Sequence, residues 1–196
     1  MDRMRSLPLI LASASPRRAE ILRRAGFRFR ILPTSVDESP RRRESPARHV
    51  VRLAREKAFA AALRVRGPAI IIGADTVVVA GRQILGKPAS RAGARRMLRL
   101  LSGRTHRVLT GIALLRLSRG ARRPRMLSAA ESTRVTFARL TPSQIAQYVA
   151  TGESMGKAGA YAIQGRAGKF VTRIEGCYFN VVGLPLARLS RMLRSL

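Results

Sequence analysis

Asp75 closes the apolar run Ala69-Ile70-Ile71-Ile72-Gly73-Ala74 and is followed by Thr76. A run of that kind reads as a strand buried on both faces. Ligands in open α/β sheets bind outside the carboxyl ends of strands. An Asp at that end can bind a metal ion or activate a water; the alternative is a carboxylate that caps a turn through its own backbone. Asp37 and Glu38 stand side by side in a loop after another strand.

A second group is cationic. Ser13-Ala14-Ser15-Pro16-Arg17-Arg18 lies where a strand hands over to a helix. Two hydroxyls, two guanidiniums and the N–H groups of a helix start can together bind an anion; a capped helix with exposed arginines is the plainer reading. The segment is not a GxxxxGK[ST] phosphate loop. Lys occurs only at 57, 87, 157 and 169, so 35 of the 39 basic residues are Arg. Lys57 sits mid-helix near the apolar face, Lys87 between Gly86 and Pro88, and Lys157 after Gly156. In so Arg-rich a chain these positions suggest a need for a compact point charge, the alternative being three lysines left by chance. His106 reads as a structural histidine and His49 as an exposed helix residue. Cys177 reads as a turn or strand residue, and no GxSxG elbow or His/Cys cluster is present.

These residues need a scaffold. Leu9–Ala12 suits a central strand. Ser15-Pro16 then opens a helix that Gly26 stops. Phe27–Ile31 alternates as a strand with one wet face. Ser45-Pro46 starts a second helix, running to about Val65 with Val50, Leu53, Ala54, Lys57, Ala58 and Ala61 close to one face. After the Ile70–Ala74 strand, Val77–Ala80 and Gln83–Leu85 flank Gly81-Arg82 as a hairpin. Ser90 caps a third helix to about Leu101. Thr105–Leu117 and Met126–Leu140 are β-rich, around a basic loop at Ser118–Pro124. Thr141-Pro142-Ser143-Gln144 is a capping box opening a fourth helix. Phe170–Ile174 and Tyr178–Val182 read as a closing hairpin, and Pro185 opens a C-terminal helix. Alternating strands and helices, then hairpins, give an α/β fold with a mixed sheet.

Composition sets the outer limits. The chain has 196 residues, 46% of them hydrophobic, and no Trp. That is one domain's length, here expected as two lobes around a cleft with no linker. Its apolar content excludes a solvated, disordered polyelectrolyte. One Cys excludes an internal disulfide, and no apolar run approaches the roughly 20 residues of a membrane span. The basic-then-apolar start at Met1–Ala14 reads as a first buried strand, so a cytoplasmic location is expected. The net charge of +29 invites a nucleic-acid reading. The spread of Arg along the chain argues for compositional drift instead, and a basic nucleic-acid-binding protein without turnover stays as the alternative.

Taken in order, several segments resemble the Maf family of nucleoside triphosphate pyrophosphatases. They are Leu9–Arg18, Val36-Asp37-Glu38, Ala54–Ala58, Gly73–Val78, Gly86-Lys87-Pro88, Leu101–His106, Lys157–Gly165 and Val181–Leu186. The resemblance implies a Maf/inosine-triphosphatase-like fold, a mixed twisted sheet with flanking helices. It implies hydrolysis of a nucleoside triphosphate to monophosphate and pyrophosphate, as house-cleaning of nucleotide pools, with a link to cell-division arrest. It places the general base at Asp75 and a divalent metal, Mg²⁺ or Mn²⁺, at Glu38 and Asp75. Ser13, Arg17, Arg18, Lys57, Thr76, Lys87 and Gln164 fall at substrate-binding positions. Among them Arg17, Thr76 and Gln164 mark the dTTP/UTP subfamily. The partner is thus a small nucleotide rather than a membrane, with nucleic acid bound at most non-specifically; a homodimer is open. Ser154 and Gly156 depart from the family pattern, which often has Pro and an acidic residue there.

Overall fold

The computed structural model describes residues 7–118 and 124–196. The elements run β1 (Leu9–Ala12), α1 (Pro16–Arg24), β2 (Phe29–Ile31), α2 (Pro46–Ala62), β3 (Ala69–Ala80), β4 (Gln83–Leu85), α3 (Arg91–Leu101), β5 (Thr105–Leu117) and β6 (Arg125–Phe137). Then follow α4 (Pro142–Ala150), β7 (Val171–Glu175), α5 (Tyr178–Val182) and α6 (Leu186–Arg194). The sheet has seven strands in the order β2-β1-β3-β5-β6-β7, with β4 paired to β3. It is mixed, parallel at β2-β1-β3 and antiparallel at β3-β4 and β6-β7. No helix among the described residues is long and apolar enough to cross a membrane. The centre of the expected basic loop, residues 119–123, lies outside the described residues, as do residues 1–6.

The chain divides into two compact units, one of residues 1–75, 111–130 and 186–196, the other of residues 76–110 and 131–185. In the first, the parallel strands β1 and β3 pack against α2. Ile10, Ala12, Ile71, Ala113 and Leu115 on the strands bury against Ala54, Ala58 and Ala61 of the helix. Small residues on α2 let the backbones approach closely, and two glycines complete the fit. A Cβ on Gly73 would strike the Ala54 carbonyl, and one on Gly111 the Val50 carbonyl. At both places the helix backbone rests directly on a strand.

The second unit holds an aromatic cluster. Phe137 meets His106, Tyr161 and Phe170 edge-on, with ring centroids 5.0, 4.9 and 6.2 Å apart. Tyr148 of α4 packs on Phe170 at 5.4 Å. Thr141 caps α4 with the expected reciprocal pair of bonds to Gln144.

Several expectations are corrected. β3 does not end at Ala74: it continues to Ala80, because Val78–Ala80 pairs with β4. Asp75 is therefore inside a strand, but beyond the parallel ladder, whose last pair is Ala12–Gly73. The carboxyl end that matters is that of β1. Tyr178–Val182 is a short helix and not a strand. The β-prone residues Tyr, Phe and Val are overridden by tertiary bonding: buried Asn180 donates from Nδ2 to the Val108 carbonyl and Thr133 Oγ1. Cys177 precedes this helix and accepts the Asn180 N–H. Ser15 stands at the N-cap of α1 without a side-chain cap bond; its own N–H donates to Ser13 Oγ at 3.2 Å. β2 is shorter than its alternation suggested, and α2 ends at Ala62. His49 is buried rather than exposed. It turns inward beside Glu44, with Nδ1 3.0 Å from Oε2.

Candidate active site

In the first unit, the seat of Gly73 on Ala54 fixes the rest by periodicity. Three residues along α2 from Ala54 is Lys57; two residues along β3 from Gly73 is Asp75. Each stays on the face its partner occupies. Lys57 Nζ donates to Asp75 Oδ1 at 2.7 Å and to Glu38 Oε1 at 2.6 Å. Lys57 and Asp75 are buried, whereas the Glu38 side chain is 44% exposed. Asp37 is not part of this group. Its Oδ1 accepts the Ser39 N–H at 2.9 Å, and hydrogen bonds from the Ser39 side chain and then from this N–H hold its carboxyl below the usual range. Of the adjacent pair, one acid shapes the loop and the other reaches Lys57.

The β1–α1 junction adds a second cation. Arg18 is buried and donates to Ser13 Oγ at 3.0 Å. Burial lowers its pKa, opposed by the charges of Asp75 and Glu38 and reinforced by Arg17. The guanidinium and the two carboxylates thus lie within electrostatic reach. Arg17 is half-buried on the same helix turn. The group thus brings two cationic side chains, Arg18 and Lys57, together with two carboxyl groups, Asp75 and Glu38. Its carboxylates supply only oxygen donors, and two of them already converge on one cation. Among the described residues no group of three or more His, Cys, Asp or Glu could hold a metal by itself.

The second unit carries the remaining expected residues. Thr76 Oγ1 is 2.9 Å from Thr110 Oγ1, which donates to the Asn180 carbonyl at 3.1 Å. Lys87 is exposed; the Gly86 carbonyl before it accepts the Gly159 N–H, joining its loop to the 158–160 turn. Gln164 is exposed at a turn closed by Gly165 N–H to the Ala162 carbonyl at 3.1 Å. His106 is structural, as its sequence context implied. Its Nε2 lies 2.9 Å from Tyr161 Oη, and burial lowers its pKa to about 4. Gly156 has φ of 68°, in the left-handed region that favours glycine. Lys157 donates to the Met155 carbonyl at 3.2 Å, so loss of an acid at 156 does not strand it.

Sequence reasoning passed over Glu44 and Tyr148. Glu44 has no motif around it, and its ion network with Arg52 depends on a loop folding back on α2. Nothing in the spacing singles out Tyr148, although its hydroxyl donates to Glu153 Oε1 at 2.9 Å.

Known proteins resemble this chain along most of its length. A family model described as Maf-like protein matches residues 8–196. A dTTP/UTP pyrophosphatase of Pelotomaculum thermopropionicum is 52% identical over 186 residues, covering 95% of each chain. One from Moorella thermoacetica is 53% identical over 185 residues, covering 94% of this chain and 93% of its own. One from Koribacter versatilis is 51% identical, covering 95% and 93%. Among solved structures, a nucleoside-triphosphatase / dITP/XTP pyrophosphatase of Mycobacterium abscessus overlaps 68% of this chain and 76% of its own, with TM-score 0.38 and 15% identity. The family match takes in every segment that holds the Lys57 group, from β1 through Glu38 and α2 to Asp75, and on that match the chain belongs to the Maf family.

Proposed function

We propose that this protein hydrolyses dTTP and UTP to the monophosphate and pyrophosphate. The names of its close relatives support the reaction. The observation that carries the site is Lys57 held between Glu38 and Asp75, beside the buried Arg18. A nucleoside triphosphate brings about four negative charges, and its chemistry is chiefly positioning and charge stabilisation. In this reading Ser13, Arg17 and Arg18 take phosphate oxygens, the guanidiniums through paired N–H donors. Lys57 and Lys87 add point charges where charge builds on the leaving pyrophosphate.

Asp75 is the proton acceptor. One of its oxygens takes the Lys57 bond; the other accepts no hydrogen bond among the described residues. Water attacks the α-phosphorus, its proton passes to Asp75, and the bond from the α-phosphorus to the bridging oxygen breaks. Pyrophosphate leaves with that oxygen. Glu38 and Asp75 fit Mg²⁺ or Mn²⁺, since hard cations of this size take one or two carboxylates and complete their shell with substrate phosphates and water. Such an ion supplies neutralisation of phosphate charge when bound. Gln164 reads the base: its amide offers both an acceptor and a donor to the edge of uracil or thymine. Thr76 stands with it as a pyrimidine-selecting residue.

The test is pyrophosphate release across a panel of nucleoside triphosphates with added Mg²⁺ or Mn²⁺. UTP and dTTP should lead. Asp75→Asn should lower their turnover by about 10²–10⁴-fold, the usual contribution of a positioned base. An unchanged rate would remove Asp75 from the chemistry.

A further inference from the structure

We propose that Glu153, through Tyr148, is a positioning residue for nucleobase selection: the two side chains bracket the turn that carries Gln164. This rests on the reading of Gln164 as the residue that meets the base.

The bracket is built from three hydrogen bonds. On one side of Gln164, the Ala162 N–H donates to Tyr148 Oη at 3.2 Å. On the other, the Arg166 N–H donates to Glu153 Oε2 at 3.1 Å. Tyr148 Oη closes the ring by donating to Glu153 Oε1 at 2.9 Å. One carboxylate and one phenol thus hold both flanks of an exposed glutamine. Gly165 admits the carboxylate, since a Cβ there would lie 2.5 Å from Glu153 Oε2. The base of the bracket is rigid. Tyr148 is buried against Phe170, and Tyr161, next before the turn, is buried and bonded to His106.

The choice of partners by Glu153 is informative. The chain has 39 Lys and Arg for ten acids. Even so, Glu153 forms no ion pair among the described residues and commits both oxygens to this turn. An acid used only to hold the surface would more readily pair with one of the chain's many arginines. The chemistry of recognition supplies the reason. Uracil and thymine present a ring N–H donor beside a carbonyl acceptor; cytosine presents an acceptor beside an amino donor. A glutamine amide suits either pair, according to which of its two ends meets which group. Discrimination therefore needs a fixed backbone from which only one orientation reaches, to within about 0.5 Å.

The experiment measures kcat and KM for UTP, dTTP and CTP in wild type, Glu153→Ala, Glu153→Gln, Tyr148→Phe and Gln164→Ala, and in Glu153→Ala combined with Gln164→Ala. Amide hydrogen exchange is read at Ala162 and Arg166. Glu153→Ala should lower the UTP-over-CTP preference in kcat/KM by about tenfold, the scale of a hydrogen bond to a charged group. The loss should lie mainly in KM, with faster exchange at Arg166. Glu153→Gln keeps an acceptor of the same shape and should recover part of the preference; it also serves if the alanine variant folds poorly. In the Gln164→Ala background, Glu153→Ala should change selectivity no further. If Gln164→Ala abolishes the preference but both Glu153 variants keep it, the positioning role is overturned and the reading of Gln164 stands. If Gln164→Ala leaves the preference intact, that reading fails and takes this role with it, whatever the exchange rates show.

Discussion

Helix α2 carries two ion networks, and they are built on different plans. Around Arg52 every acceptor is taken. Its Nε and one terminal nitrogen fork onto the two oxygens of Glu44 at 2.7 and 2.9 Å, and the other terminal nitrogen reaches Glu56 at 3.1 Å. Glu44 also accepts the Arg41 N–H and lies against His49, while Arg41 bonds Glu56. Five groups lock the 41–44 loop onto the helix. Around Lys57 the plan is open. The cation is a single ammonium, Asp75 keeps an oxygen without a hydrogen bond among the described residues, and the Glu38 side chain is partly open to solvent. A closed network holds structure; an open one can trade partners with a substrate. A depression of about 630 Å³ lies beside the closed network, lined by Glu44, Arg48, Arg52, Arg55, Glu56 and Phe59 among others, and by none of the expected site residues.

The largest effect should come from breaking the open network. Lys57→Met removes the charge that Glu38 and Asp75 share, and pyrophosphate release should fall by about 10²–10³, as when one preorganised donor to a developing charge is lost. Arg52→Met should cost stability in a thermal melt and leave the rate per folded molecule where it was. Equal losses of rate in the two variants would erase the distinction.

Next comes Gly73→Ala. The added methyl would meet the Ala54 carbonyl and the Ala58 nitrogen, so α2 must lift from β3. Overpacking of this kind costs about 1–3 kcal/mol or more. Because Lys57 is one turn from the contact, the rate should fall along with the melting temperature. A stable Gly73→Ala protein of wild-type rate would show that the fit of helix on strand does not set the Lys57–Asp75 geometry.

How much of this could be read beforehand differs between the networks. Lys57 was legible because Lys is rare here and the residue falls on the apolar face of α2, and Asp75 because it follows a buried apolar run. The order of elements from β1 to α4 follows from caps and periodicity, as at Ser45, Ser90 and Thr141. Their N-cap oxygens do accept the expected N–H bonds. What escaped was set by contacts distant in sequence. Tyr178–Val182 has β-prone side chains, yet Asn180 bonds residues 72 and 47 positions away and the segment coils. His49 lies between arginine-flanked positions that suggest solvent, yet Glu44 folds over it. Neither event leaves a local pattern in the chain.

The smallest effect tests the closed network through pH. Hydrogen bonds from Arg52, above all, hold the Glu44 carboxyl at about 2, against 4.5 for an unperturbed Glu. A group that binds its proton less readily when folded stabilises the fold fully above its unfolded pKa. The contribution is lost as pH falls toward the folded value, here between about 4.5 and 2. Glu44→Gln cannot make that contribution. At neutral pH it should melt lower, by about 1–2 kcal/mol, between the value of exposed and fully buried ion pairs. As the pH is taken down through that window, the gap between wild type and variant should close. Parallel melts across the window would mean that Glu44 does not hold the loop to α2. At neutral pH the folded variant should release pyrophosphate at the wild-type rate, since none of the groups around Lys57 has changed; a lower rate would mean that the two networks are coupled along the helix.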